Sequence, residues 1–541
     1  MQGASTALRT SERLSRAWIF AERSANEVAK VLDRWKYLLL VACTAFYTFI
    51  TCYQANRKLF WFDEIFTIYV SRLQNLRLIW DSLIDGADYN PILLYVLTHF
   101  SEAILGQGHL RARLPAIIGF WIFCLCLFRF VSIRSSGLAG FISMSFPLTT
   151  TAYLYAFEAR AYGTVLGFVG LALISWQALA TAKKGRFGLA LALFASLVGA
   201  LLTHAYAFLV FVPFVAGELA RSIFRRSVDW IVWLALVASG LAMLASLPAF
   251  LALRSLLGVG EFFVPSVEML VQTYDSLLGP AATLTTFVLG LICLDFLRRQ
   301  RAMAGQPDRA SKQDGIQEPR FQPHERIALV GFLTIPFFSY LAARLSGAPM
   351  MDRYSLATVA GIAALMGMAA GKRAATGLLV LTVLSALFAR QFMDFIYNIE
   401  LKEPSSGLKN RTLISTSQPD FRFRYYRMSL EDKNLPIVLL DPMDFPVTFL
   451  YAPAEILPRL VYLREGRDIF AESYENLQKC CSAVGRVETL DELLATTNTF
   501  LAYSPTPSFG VVNRFAENGG TISVKTINTD YALFQVTYPS R

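Results

Sequence analysis

The chain has 541 residues, of which 55% are hydrophobic and 17% charged, with a mean hydropathy of +0.44 and a net charge of +10. A soluble domain carries about 25% charged residues, so this composition excludes an ordinary globular protein. The positive charge does not indicate nucleic acid either, because the Lys and Arg residues fall in short loops between apolar runs, the pattern that orients membrane proteins.

Apolar runs near the ~20 residues needed to span hydrocarbon recur from Tyr37 to about Phe395 and then stop. The predicted fold is a polytopic α-helical membrane protein, with residues 37–396 in the membrane domain and a small soluble α/β domain at 397–541. Residues 1–36 are polar and basic (Arg9, Arg13, Arg16, Arg23, Lys30, Arg34, Lys36). The apolar segment that follows shows no small-residue cleavage site near Thr51, so we expect a cytoplasmic N-terminal segment and an uncleaved first span. Eleven spans are predicted, at about 37–54, 114–131, 138–157, 161–180, 188–204, 206–221, 230–250, 271–297, 327–346, 355–370 and 374–395.

With the N-terminus inside, Arg129 and Arg134, the Lys183–Arg186 cluster, Arg221 to Arg226, the stretch 298–326 and Lys372–Arg373 all share the inner face. This agreement requires that Pro91–Gly106, which is short and contains His99 and Glu102, lies on the outer membrane surface rather than crossing. The outer face then carries the loop 55–113, the turn Glu158–Tyr162, the segment 251–270, the turn Met350–Tyr354 and the soluble domain. The inner loop 298–326 is polar and reads as a linker. Of the seven cysteines, four fall in spans and Cys52 lies near the end of one, as small hydrophobes do. Cys480 and Cys481 are adjacent in the soluble part, and no zinc spacing is present.

The soluble domain alternates strand and helix signals. Ile437–Leu440 and Leu460–Leu463 are short apolar runs, and Thr489-x-x-Glu492 is a capping box ahead of Leu493. Phe500–Tyr503 reads as a strand. A helix near Ser508–Glu517 is expected to stop at Gly519 and Gly520, and Thr521–Ile527 with Tyr531–Thr537 reads as a hairpin. The domain has no glycine-rich phosphate loop and no His. We read it as a lid or an acceptor-docking domain.

Four outer-face motifs can carry chemistry. Trp61-Phe62-Asp63-Glu64 follows the first span, and two carboxylates beside a membrane are costly to desolvate. The plainer alternative is that they cap the helix Ile65–Leu73, since acids favour helix N-termini. Glu158-Ala-Arg160-Ala-Tyr162 and Met351-Asp352-Arg353-Tyr354 sit in short turns, where ion pairs or caps are the competing reading. Thr203-His204-Ala-Tyr206 ends another span, and a lone His there is more often a satisfied hydrogen-bonding residue than a ligand. The predicted topology places all four motifs on one face.

These motifs, together with Asn90-Pro91-x-x-x-Tyr95 and Arg113-Leu114-Pro115, come in the order seen in bacterial relatives of protein O-mannosyltransferases. The chain resembles that family over about residues 35–370, within the GT-C superfamily that also contains the lipid A aminoarabinose transferase. The resemblance implies inverting transfer of a sugar from a polyprenyl-phosphate donor to an acceptor hydroxyl at the outer face of a bacterial cytoplasmic membrane. It makes Asp63 the catalytic base. Taking the proton of the acceptor is general-base work, while cations must hold the phosphate that leaves. Arg160 and Arg353 are the leading phosphate binders, because guanidinium matches phosphate with paired donors. Lys58, Tyr354 and His204 are further candidates, and Tyr162 and Asn90 are candidate substrate contacts. Asn90-Pro91 departs from the His-Pro or Pro-Pro of many relatives.

Glu64 and Glu158 can orient the base, bind sugar hydroxyls or hold a divalent cation. Distant oligosaccharyltransferases bind a metal with acids from these loops, but Glu158 stands where they have an Asp-containing motif a few residues on, so no cofactor is expected to be required. The acceptor, whether protein, lipid or glycan, is not specified. A glycan ligase or oligosaccharyltransferase is the nearest alternative. A transporter would instead show repeats and midplane charges, and an inactive scaffold would not need Asp63.

Overall fold

The computed structural model describes residues 2–246, 265–290, 321–346, 350–401, 434–464, 469–481, 485–504, 510–527 and 532–539. Much of the predicted outer segment 251–270 and of the inner loop 298–326 lies outside the described residues, as do the far ends of the spans 230–250 and 271–297.

Helix α1 runs unbroken over Gln2–Arg57, so the predicted N-terminal segment 1–36 and the first span form one helix of about 84 Å at 1.5 Å per residue. Its first half projects beyond any bilayer core, and carboxylates fix where it enters the bundle. Glu22 accepts hydrogen bonds from the first amides of the last membrane helix, Ala374 and Ala375, at 2.8 and 3.2 Å. Asp33 accepts from Gly137 N at 2.7 Å. Both acids sit at helix N-termini, where exposed N–H groups and the helix dipole favour negative charge.

The first loop, the one predicted to face outward, folds into three short helices, α2 (Phe62–Ser71), α3 (Leu76–Ile84) and α4 (Leu93–Leu105). Helix α4 is the segment expected at the membrane surface, and its 13 residues are too few to cross. Helix α5 (His109–Ser132) then enters the bundle with Pro115 in its second turn. Proline leaves the carbonyl four residues back without its partner, and Ser101 Oγ donates to that carbonyl, Arg111 O, at 2.5 Å.

Helix α6 (Gly137–Ser145) gives way to 3-10 turns at Phe146–Thr149 and Thr151–Phe157, so the predicted span 138–157 is not one helix. Pro147 interrupts the backbone ladder, and the Thr149 and Thr150 hydroxyls bond back to Phe146 O and Pro147 O. Most of this irregular stretch is buried, the condition under which such backbone is tolerated at membrane depth.

Helices α7 (Ala161–Thr181), α8 (Arg186–Thr203), α9 (Phe211–Arg225) and α10 (Trp230–Leu241) follow, then α11 (Val267–Leu278), which breaks at Gly279 with φ 49°. The pair α12 (Pro323–Leu333) and α13 (Ile335–Ser346) is bent by 49°. Helices α14 (Thr358–Ala370) and α15 (Ala374–Leu401) complete the bundle, α15 running past the predicted domain boundary at 397. Among the described residues six helices are long and apolar enough to cross a membrane, or seven with the bent pair. The remaining four predicted spans are short, broken or run beyond the described residues.

The tightest crossing joins α5 to α7. A Cβ on Gly163 would lie 2.6 Å from Ala116 O, and one on Gly167 would lie 2.6 Å from Gly119 O. Small residues four apart allow this backbone approach, and it aligns the N-terminal ends of α5 and α7.

The soluble domain is a six-stranded sheet in the order β3-β2-β1-β4-β6-β5, comprising β1 (Ile437–Leu439), β2 (Leu460–Leu463), β3 (Arg486–Glu488), β4 (Thr499–Ser504), β5 (Thr521–Ile527) and β6 (Ala532–Thr537). The first four strands are parallel, and the expected β5–β6 hairpin is antiparallel. Its helices are α16 (Asp444–Tyr451), α17 (Ile469–Cys481), α18 (Leu490–Thr496, on the predicted capping box) and α19 (Gly510–Glu517). Alternation along the strands divides the core in two. Val438, Val461 and Phe500 face one layer, whereas Ile437, Leu439 and Tyr462 face a layer continuous with Phe62, Ile65 and Phe66 of the outer loop. The domain thus packs directly over α2.

Candidate active site

Asp63 is the second residue of α2, half-turned toward solvent with its side chain 13% exposed. Arg160 is the N-cap of α7 in an extended conformation, which turns its side chain back into the outer loop. Its Nη1 donates to Asp63 O at 2.8 Å, and Nη2 lies 3.7 Å from Asp63 Oδ2. Nη1 also lies 3.5 Å from Asp88 Oδ2. Arg353, on the 3-10 turn Asp352–Ser355, brings Nη2 within 3.2 Å of Asp63 Oδ2 and stands over the Trp61 ring at 6.0 Å. None of these carboxylate contacts meets hydrogen-bond geometry at Asp63 Oδ2 or Asp88 Oδ2.

Two guanidinium groups thus face two carboxylates. Burial opposes the charge on Arg160, but Asp63 and Asp88 outweigh it and hold the guanidinium protonated. Burial pushes the Asp88 carboxyl above its usual range, with Arg160 pulling the other way. The Nε groups of Arg160 and Arg353 are buried without a hydrogen-bond partner among the described residues.

Beside Arg353 lies a narrow cleft of about 20 Å³ lined by Tyr162, His204, Tyr206 and Tyr354. Tyr206 stacks on Tyr354 with ring centroids 4.2 Å apart, and His204 lies 5.1 Å from Tyr162 and 5.3 Å from Tyr354. The Tyr206 amide donates to His204 Nδ1 at 3.1 Å, which leaves Nε2 as the protonated nitrogen of a neutral imidazole.

The structure therefore brings together Asp63, Arg160, Arg353, Tyr162, His204 and Tyr354. It assigns other predicted site residues different work. Glu64 is fully buried and grips Arg113, with Nε and Nη2 each 2.7 Å from its two oxygens, and it also accepts from Ala159 N at 2.6 Å. Burial pushes this carboxyl up, but Arg113 outweighs burial and holds it below the usual range. Glu64 also accepts from Trp61 N at 3.3 Å, the capping contact of α2 that was the plainer reading, and it is fully buried. Lys58 and Glu158 form a buried pair at 2.6 Å, so Lys58 is committed to Glu158 rather than to a phosphate. Asn90 is buried in the loop beside Asp88 and makes none of the site's ion pairs. Among the described residues no three His, Cys, Asp or Glu side chains come together in a way that could hold a metal ion.

Sequence reasoning gave no site role to two residues, Arg113, which it quoted only within the Arg113-Leu114-Pro115 motif, and Asp88. Arg113 donates to Ala55 O, Lys58 O and Leu59 O at 2.6, 2.7 and 2.9 Å as well as to Glu64, which ties the end of α1 to the start of α2. Its signal was an arginine at the mouth of an apolar span. Asp88 had only its closeness to Asn90-Pro91 to mark it.

No family model matches the chain, and no curated protein matches its sequence. Among solved structures it resembles ArnT from Cupriavidus metallidurans in the apo state, with a TM-score of 0.56 and 11% identity over 92% of this chain and 97% of that chain. It also resembles the same protein bound to undecaprenyl phosphate, with a TM-score of 0.54 and 12% identity over the same shares. The chain therefore shares the overall fold of these structures.

Proposed function

We propose that the chain is an integral-membrane glycosyltransferase that moves a sugar from a polyprenyl-phosphate donor to an acceptor hydroxyl, with inversion. The observation that carries this reading is the convergence of Asp63 with Arg160 and Arg353 beside an aromatic cleft. A structural neighbour of the same fold is described as bound to undecaprenyl phosphate, which supports a lipid-phosphate donor.

The chemistry follows from charge. Without donor, the two guanidiniums and the carboxylates of Asp63 and Asp88 balance. A donor phosphodiester competes for Arg353, using the unpartnered Nε groups, and releases Asp63. The acceptor oxygen then attacks the anomeric carbon from the face opposite the phosphate and passes its proton to Asp63. The bond from that carbon to the phosphate oxygen breaks, and its electron pair goes to the phosphate. Protonated Asp63 leaves two guanidiniums against Asp88 alone, a net positive charge formed just as the phosphate gains its second negative one. Stabilisation matched to developing charge is what accelerates a reaction. Tyr162, His204, Tyr206 and Tyr354 present ring faces and polar tips beside Arg353, where the donor phosphate would sit.

The test is to mix the purified full-length protein with radiolabelled polyprenyl-phosphate sugars and a membrane extract as acceptor source. Transfer of label to a macromolecular acceptor is expected. Absence of donor binding, together with solute movement in proteoliposomes, would favour a transporter.

A further inference from the structure

At the end of the bundle opposite Asp63, the loop from α7 to α8 and the ends of α9 and α12 line an open groove of about 430 Å³. Its lining includes Lys183, Arg186, Arg221, Arg225 and His324. Arg221 is 3% exposed and rigidly held, with Nη1 2.7 Å from Glu218 and Nη2 2.8 Å from Asp229. Arg186 and Arg225 also reach Asp229, at 2.5 and 3.7 Å. Four cations thus face two carboxylates, Glu218 and Asp229, a surplus of two positive charges. Arg186 Nε and His324 Nε2 are in addition buried without a hydrogen-bond partner among the described residues. Buried polar groups of this kind are ordinarily satisfied.

The groove does not stop at its charges. Through Thr181 and Ala182 it abuts a second one of about 460 Å³ whose lining includes Ile133, Ile174 and Leu189, with Arg129 at its edge. Phe224, 61% exposed, flanks the basic end. A soluble anion would use only the basic half.

We propose that this paired groove is a binding site for an anionic phospholipid of the leaflet opposite the Asp63 face. Its phosphate sits among Lys183, Arg186, Arg225 and His324, and an acyl chain lies along Ile133, Ile174 and Leu189. The positive charge has the sign that attracts an anionic headgroup, and it is fixed in place by Arg221. This site is independent of the transferase reading.

The test measures thermal unfolding of the full-length protein in detergent with added phosphatidylglycerol, phosphatidylcholine or inorganic phosphate, and titrates phosphatidylglycerol against the variant K183Q/R225Q. Both side chains are exposed, so the variant is expected to unfold at the wild-type Tm without lipid. Phosphatidylglycerol should raise Tm of the wild type while the other two do not. At about 1 kcal/mol per surface cation, the double variant should bind it about thirtyfold more weakly. Equal shifts with phosphatidylcholine, a shift reproduced by inorganic phosphate alone, or unchanged affinity in the variant would each overturn the proposal. The wild-type comparison stands even if the variant does not fold.

Discussion

Along the first turn of α2, adjacent carboxylates meet different surroundings. Successive helical residues point about 100° apart, so Asp63 faces the Arg160–Arg353 mouth while Glu64 is turned into the protein against Arg113. The sequence marks both acids, but only packing decides which one is open to substrate. Removing one partner of a fully buried ion pair strands the other charge, at a cost of about 3–5 kcal/mol. Arg113→Met should therefore lower stability by about that much, measured by thermal or denaturant unfolding in detergent, and the double variant Glu64→Gln/Arg113→Met should recover part of the loss. Additive losses would show that the two side chains do not act as a pair. Asp63, Arg160 and Arg353 were legible because each sits in a short polar motif between apolar runs. Asp88 was not, because nothing local distinguishes an acid in a polar loop from one that will meet a guanidinium far along the chain.

At the scale of elements, the soluble domain grips the outer loop through α16 and α17. The Tyr451 hydroxyl, at the end of α16, accepts from Phe60 N at 2.7 Å and bonds His109 Nε2 at 3.1 Å. The Tyr89 hydroxyl, next to Asp88, bonds Ser473 Oγ of α17 at 2.6 Å. Phe66 stacks on Tyr474 with centroids 5.8 Å apart. Phe60 lies three residues before Asp63, so Tyr451→Phe leaves the backbone amide that sets the loop without its acceptor, a loss of about 1–3 kcal/mol. Hydrogen exchange should quicken at residues 58–64, and sugar transfer should fall while the strands of the sheet keep their protection. Unchanged exchange there would show that the domain does not brace the loop. The strands of this domain other than β3, and its caps, were readable from local patterns, whereas β3, α16 and α17, and the face the sheet presents to α2, were not, since short segments do not declare what they pack on. The Gly163-x-x-x-Gly167 spacing that seats α7 on α5 fits a close-packing pattern but was recognised only from the structure.

Across the whole molecule, the two ends of the bundle carry different chemistry. One end holds the paired acids and arginines under the soluble domain, and the other holds the basic groove and the carboxylates that anchor α1. Periodicity and charge predicted the helical membrane architecture and its division from the soluble domain. They did not predict where helices shorten or break, because part of what satisfies the breaks comes from distant segments: Thr151 donates to Ser276 O at 2.5 Å beside Gly279, and Tyr274 donates to Leu333 O at 2.6 Å at the bend between α12 and α13. If basic residues set orientation, the Asp63 end faces outward. In cells, a membrane-impermeant thiol reagent should label Asn518→Cys above the level of the parent chain and should reach Lys184→Cys only after lysis. Labelling in the reverse order would invert the assigned topology.

The central claim is that Asp63 is the base and the arginines beside it hold the donor phosphate. Donor binding and label transfer measured side by side for wild type, Asp63→Asn and Arg353→Gln test it most directly. Asp63→Asn should bind a polyprenyl-phosphate sugar at least as well as wild type and lose transfer by about 10²–10⁴-fold, while Arg353→Gln should lose donor affinity. Near-wild-type transfer by Asp63→Asn, or donor binding indifferent to Arg353, would contradict the account.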